Sequence, residues 1–174
     1  MNLNEVVIET KRLKLVPISD SHLMPIYKHF TISISKYMFP QPSGNIGDTE
    51  SFIKTSMEGL ADGTNLQLVI QDKDTDKFLG CVGLHHVGTE DPELGVWIRK
   101  SFHSQGLGME AIRGVIKWAN ENIEFDHLKY PVDKNNRSSR RIPMSCGGKF
   151  VKSYSMPNMN KTNELDIVEY WIKS

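Results

Sequence analysis

Apolar and polar positions recur with two periods along this chain of 174 residues. Lys11-Arg-Leu-Lys-Leu-Val-Pro17 alternates and then stops at proline, which reads as an edge strand. Asp20 or Ser21 is placed to cap a short helix through about Phe30, with Pro25 tolerated in its first turns or kinking it. Tyr37-Met-Phe-Pro-Gln-Pro-Ser-Gly-Asn45 is a loop by its prolines and glycine. Asp48 or Thr49 then caps a helix whose Phe52, Ile53, Met57 and Leu60 share a face, and Gly63 ends it.

Two β-rich runs follow, Leu66–Gln71 and Phe78–His86, joined by a polar hairpin sequence at Asp72–Lys77. A third run, Leu94–Arg99, leads into a polar turn, after which Met109, Ile112, Ile116 and Ala119 form a helical stripe ending near Asn122. His127–Val132 reads as a strand. Ser138–Cys146 reads as a short helix with a kink at Pro143, stopped by Gly147 and Gly148. Lys149–Ser155 and Leu165–Ile172 form a closing strand pair. Consecutive strands before the long second-half helix, with alternation after it, predict a single-domain α+β fold with a mixed sheet over residues 1–174.

The turn between the third run and that helix contains Gly106 and Gly108. Strand, glycine turn and helix together build an anion cradle: the glycines admit a ligand close to the main chain, and the helix's first amides point free N–H groups outward. A phosphate-bearing ligand is the expectation. Bulk properties narrow the partners. Lys plus Arg equals Asp plus Glu at 21 each, so no global field steers the chain to nucleic acid or an anionic membrane. The run Lys134–Arg141 carries four cations, yet it has no aromatics for stacking on RNA and reads as a solvated or ligand-facing surface. No apolar run reaches a membrane span of about 18 residues and the N-terminus has no signal-peptide pattern, so cytoplasm is the expected location. Cys81 and Cys146 give neither a disulfide framework nor a metal-ligand spacing and read as small apolar residues. No metal is expected.

Three phosphate ligands compete for the turn. A nucleoside triphosphate loop requires Lys-Ser/Thr after its second glycine, and Met109-Glu110 follows Gly108 instead. Gly106-Leu-Gly-Met-Glu-Ala111 fits the dinucleotide fingerprint, with Asp126 as the ribose acid, but too little chain remains after it for that fold. Coenzyme A is the third, with its pyrophosphate on the turn and its pantetheine arm beside the preceding strand.

Four segments, in order and nearly end to end, resemble the GNAT superfamily of acyl-CoA-dependent N-acetyltransferases, in the branch of ribosomal-protein N-terminal alanine and serine acetyltransferases. They are Glu9-Thr-Lys-Arg-Leu-Lys-Leu-Val-Pro17, Phe78-Leu-Gly-Cys-Val-Gly-Leu84, Glu93-Leu-Gly-Val-Trp-Ile98 with the Gly106 turn and Glu110-Ala111, and Tyr130–Ile142 with its Asn136-x-x-Ser139 helix start. The resemblance implies a mixed, mostly antiparallel central sheet with helices on both faces, acetyl-CoA as co-substrate and transfer to an amine acceptor by direct attack. It also implies that Gln105, Gly106, Leu107, Gly108 and Met109 offer amides to the pyrophosphate. Val96 and Ile98 would bond pantetheine through their main chain, and Asn136 would bond the pantetheine or thioester region. Lys100, His103, Lys134, Arg137 and Arg140 are available to the phosphates, where Arg forks suit bidentate contact. The sequence departs from the superfamily pattern at His103, at Met144-Ser-Cys-Gly-Gly148, and in lacking the helix tyrosine that many members use to protonate the leaving thiolate.

Amine acylation meets a protonation barrier. An amine of pKa near 10.4 is free base roughly once in 2,500 at pH 7, a penalty of roughly 4.6 kcal/mol. A base near neutrality removes the proton, and backbone donors polarise the thioester carbonyl. Ser139 is the candidate donor to the departing sulfur, against the reading of a first-turn serine bonded to its own backbone. Glu93 is the candidate base, against that of a solvated strand-end carboxylate. His85 and His86 are alternative bases, and being adjacent on a strand only one can face the cleft. Trp97 and Trp118 read as packing residues. The acceptor stays open between protein N-termini and small-molecule amines, and the chain between monomer and homodimer. A GNAT-fold module that binds acyl-CoA without turnover is the runner-up.

Overall fold

The computed structural model describes residues 1–173. Period-two patterning produces the expected strands because each buries one set of side chains. In β2 (Leu13–Pro17), Leu13 and Leu15 are fully buried and Lys14 between them is only partly covered. β3 (Leu66–Asp72) and β4 (Phe78–His85) bury consecutive residues, as strands covered on both faces must. With β1 (Ile8–Glu9), β5 (Glu93–Ile98), β6 (Leu128–Asp133), β7 (Lys149–Pro157) and β8 (Glu164–Ile172) they form one sheet of order β1-β2-β3-β4-β5-β6-β8-β7. Every neighbouring pair is antiparallel except β5 and β6. Helices α1 (Leu23–His29), α2 (Ile32–Ser35), α3 (Ile46–Asp62), α4 (Leu107–Asn122) and α5 (Arg137–Ser145) complete the mixed, mostly antiparallel architecture the resemblance implied.

The departures from sequence expectation are local. α3 begins earlier than expected because the Asn45 side chain, rather than Asp48 or Thr49, accepts the capping bond, from the Gly47 amide at 2.9 Å. Its C-terminus falls where expected: Gly63 has φ +81°, and a Cβ there would lie 2.1 Å from the Met1 carbonyl oxygen. Phe52 does not share the core face. Ile53 and Leu60 are buried, Ser56 and Gly59 fill the positions between them, and Phe52 turns one helical step away, 42% exposed. The α4 seam is likewise rotated, with Leu107, Ala111, Ile112, Val115 and Ala119 buried while Met109 and Ile116 are half-buried at its margins. β1 and α2 went unread; two residues and a single turn are too short to show a period. Cys81 is buried as expected, whereas Cys146 is half-buried at the end of α5.

One topological fact positions the site. α4 carries the chain from β5 to β6, and the two strands pair at a single register point, Glu93 with Lys129. Beyond that point they diverge toward the glycine turn, leaving a wedge-shaped gap in an otherwise continuous sheet.

Candidate active site

The glycine turn takes the conformation its residues require. Gly106 is the α4 N-cap with φ +74°, a left-handed backbone that disfavours any Cβ. The first inward amide of α4 is that of Glu110, which donates to the Gly106 carbonyl at 3.1 Å. Among the described residues the N–H groups of Gln105, Gly106, Leu107, Gly108 and Met109 donate to no protein atom, so they form a free donor array at the positive end of a 16-residue helix. A Cβ at Gly108 would meet Ile98 and Ile142 side chains at 3.5 Å and Val96 at 3.9 Å. A side chain longer than methyl would therefore press into the head of the gap.

The wedge is walled by main-chain groups. The Pro92 carbonyl accepts from the Lys129 amide of β6 at 2.8 Å, while the Arg99 amide donates to the Leu79 carbonyl of β4 at 2.7 Å. Because strand hydrogen bonds alternate sides, the main-chain groups of Val96 and Ile98 face the gap as Pro92 does. His103 sits at its upper end, its Nε2 2.6 Å from the Ile98 carbonyl oxygen. That contact engages the carbonyl and leaves the Ile98 amide for a ligand.

The start of α5 forms the far wall. Asn136 caps the helix by accepting from the Ser139 amide at 3.3 Å and the Ser138 hydroxyl at 3.2 Å. The Ser139 hydroxyl does not bond its own helix backbone. It lies 2.8 Å from the phenol oxygen of Tyr130, a buried β6 residue whose pKa burial pushes up, opposed by this hydrogen bond. Sequence reasoning missed Tyr130, since nothing in a strand pattern says which helix residue a buried phenol will meet. Arg140 behaves differently from the expectation. It lies two residues from Ile142, on the opposite side of α5 from the turn, and its guanidinium donates to the Lys134 carbonyl at 3.0 Å and the Tyr170 hydroxyl at 3.4 Å. The structure does not bring it to the glycine turn.

Below the wedge opens a cleft of about 1450 Å³, lined by Glu93, Val96, Tyr130, Asn136, Ser139 and residues of β3, β4 and β7. Burial raises the pKa of the half-buried Glu93 carboxyl, partly opposed by the Lys129 ammonium. Of the adjacent histidines, His85 lines this cleft, while His86 is exposed with φ +59° at the strand's end. Burial, with help from His86, lowers the pKa of His85. Trp97 packs on Phe30 and Phe78 with ring centroids at 5.2 and 5.8 Å and also lines the cleft, so it both packs and faces the ligand space. Trp118 packs against the core. Two loops that sequence leaves open close the outer side: the Met159 amide of the β7–β8 connection donates to the Phe39 carbonyl at 2.9 Å.

Among the described residues no group of three or more His, Cys, Asp or Glu is placed to hold a metal ion, and no helix is long and apolar enough to cross a membrane.

Comparison with known proteins agrees with this geometry. The family model described as an acetyltransferase (GNAT) domain matches residues 12–149. A candidate ribosomal N-acetyltransferase of Bacillus subtilis is 30% identical over 70 residues, a stretch that spans 39% of this chain and 38% of that relative's length. Among solved structures, the microcin C7 self-immunity acetyltransferase in complex with acetyl-CoA and AMP superposes with a TM-score of 0.83 at 19% identity, covering 95% of this chain and 94% of that one. A Salmonella typhimurium acetyltransferase that modifies the N-terminal serine of a 50S ribosomal subunit protein gives 0.80 at 11% identity, covering 97% and 99%. At these identities the structural matches establish a shared fold.

Proposed function

The chain belongs to the GNAT acetyltransferase family, and on that premise we propose that it moves an acetyl group from acetyl-CoA to a primary amine. The observation that carries this reading is the free donor array of residues 105–109 at the head of a gap between splayed strands. The array suits a diphosphate, and the gap suits an extended arm bonded to the main chain of Val96 and Ile98. Bound acetyl-CoA supplies an activated acetyl thioester. Asn136 and Ser139 line the space where that group would lie, and His103 flanks the phosphate end.

Glu93 supplies the carboxylate that draws a proton from the amine, at the vertex where β5 and β6 part. Its burial moves the group toward the neutral range in which such a base works. Ser139 hands a proton to the departing sulfur and recovers one through Tyr130, whose hydroxyl stands where no helix tyrosine exists. The acceptor is an amine, either a protein N-terminus or a small molecule. The names of the relatives favour the first, and the mostly apolar residues Tyr37, Met38, Phe39 and Met159 at the cleft's outer edge suit an apolar group beside it. Thiol release from acetyl-CoA with a serine-initiated hexapeptide and with phenylethylamine tests the proposal. Turnover with either supports it, and acetyl-CoA binding without turnover across a wider amine panel would favour a non-catalytic module.

A further inference from the structure

The cleft floor contains a feature that neither the cofactor turn nor the Glu93–Ser139 pair explains. Gln67 of β3, Gly83 of β4 and Gly95 of β5 stand in one register row, so two adjacent positions of the sheet have no side chain. The next row pairs His85 with Glu93 directly across β4 and β5, which puts both side chains on the same face. The imidazole of His85 leans into the trough left by the glycines. A Cβ at Gly83 would lie 2.9 Å from its Nε2 and 2.9 Å from the Gln67 Oε1, and a Cβ at Gly95 would lie 3.9 Å from Nε2. Gly83 has no positive φ, so its backbone does not need glycine; the ring does. No described residue hydrogen-bonds that ring. Nε2 therefore rests, unengaged, above the Gly83–Gly95 pair and nearer to β4, with β5 between it and the gap where Val96 presents its main chain.

Resting on the acetyltransferase reading above, we propose that His85 is a catalytic residue: seated in the Gly83–Gly95 trough, it takes the proton of the attacking amine, with Glu93 across the strand pair stabilising the imidazolium. The bookkeeping closes. The acceptor arrives as an ammonium and loses its first proton through the Glu93 carboxylate to solvent, which leaves Glu93 charged. His85 Nε2 takes a second as the nitrogen bonds to the acetyl carbon and the carbon–sulfur bond opens. Ser139 protonates the sulfur, and one proton is released overall for each amide and thiol formed. Besides Glu93, the groups around His85 include His86 on its own strand, with Lys129 of β6, His86, Asp91 and Glu169 of β8 acting on Glu93, and Lys28 of α1, Asp48 of α3, Asp133 of β6 and Tyr154 of β7 along the cleft. Gln67 forms the opposite bank of the trough, its Nε2 held by the Val82 carbonyl at 3.3 Å, which leaves its Oε1 for an acceptor N–H.

The test compares wild type, H85Q, H85A and G83A. In histidine-labelled protein, the imidazole resonance absent from H85Q is expected to report a neutral ring at pH 7 and to shift when acetyl-CoA is added. With the hexapeptide or phenylethylamine as acceptor, H85A is expected to lose about 100-fold or more in kcat, with its acetyl-CoA Kd within about threefold of wild type. Free imidazole should restore part of the H85A rate. G83A, which keeps the histidine but takes its seat, should fall between wild type and H85A. The acid limb of the kcat/KM profile should change shape in H85A. Wild-type kcat in H85A, or an imidazole signal indifferent to acetyl-CoA in protein that binds it calorimetrically, would overturn the role of His85 while leaving the transferase reading intact. Absence of acetyl-CoA binding by wild type would overturn both.

Discussion

Arg12 and Glu110, ninety-eight positions apart, clasp each other across the opening strand and the cofactor-side helix. Arg12 Nε lies 2.6 Å from Glu110 Oε2, and the Arg12 backbone amide donates to Oε1 at 2.8 Å. Thr10 adds its hydroxyl to Oε1 at 2.6 Å, and a second Arg12 nitrogen donates to the Gln105 carbonyl at 2.9 Å. One guanidinium thus ties the first turn of α4 to the loop that leads into it. The clasp joins two of the four sequence segments, Glu9–Pro17 and the Gly106 turn with its Glu110-Ala111. The carboxylate also faces the positive end of the helix.

Glu110→Ala should loosen that loop. We expect acetyl-CoA affinity to fall about tenfold and stability to drop by about 1–2 kcal/mol, a figure kept low because Arg12 is 45% exposed. Isothermal calorimetry and thermal melts read the two effects separately; unchanged affinity would show that the clasp does not position the turn.

The same contact sets an acid limit. Burial raises the Glu110 pKa, but the bonds from Thr10 and Arg12 outweigh it and hold the group below 4.5 in the folded state. The unfolded chain then binds the proton more tightly, so this contribution is whole above pH 4.5 and disappears as pH falls through the folded value. Glu110→Gln should flatten that part of the stability profile. Glu93 has the opposite sign. Burial raises its folded pKa, so the folded state loses stability as pH climbs from 4.5 through the raised value, and Glu93→Gln should recover it. Urea midpoints across pH 3–7 (about 1 pH unit apart) resolve both trends.

Gly106→Val places a β-branched residue at φ +74°. The strain is expected to cost about 1–2 kcal/mol or more and to redirect the free amides, lowering acetyl-CoA affinity at least about tenfold. Gly108→Val, whose side chain would press between Ile98 and Ile142, should reduce affinity with a smaller change in melting temperature. Equal losses of stability in both would contradict the division between conformation and access.

Ser139→Ala should lower kcat about 100-fold while acetyl-CoA binding stays within about threefold. Tyr130→Phe should cost about 1 kcal/mol of stability and reduce kcat roughly tenfold, through loss of the bond to Ser139. If acyl donors with a more acidic thiol leaving group do not narrow the Ser139→Ala defect, the serine acts elsewhere than on the sulfur.

Much of this site was legible in the residues. Gly106 was readable because a glycine before an amphipathic run signals a helix start, whereas the Asn136-x-x-Ser139 helix start came through the family resemblance, and the Asn136 side-chain cap is what the structure adds. Arg140 misled because residue type shows that a fork can hold phosphate but not on which side of a nine-residue helix it lies. Tyr130, Gln67 and the Gly83–Gly95 trough were invisible for the opposite reason. They act through strand register between β3, β4 and β5 and through the β6–α5 contact, and register is set by the whole sheet. The wedge itself depends on where β5 and β6 stop pairing, a tertiary property with no residue signature.

The central claim is that the amides of residues 105–109 hold the diphosphate of acetyl-CoA, and calorimetric titration of wild type and Gly106→Val with acetyl-CoA tests it most directly. The account predicts saturable binding by wild type and at least about tenfold weaker binding by the variant, in protein shown to be folded. No binding by wild type, or equal binding by both, would contradict it.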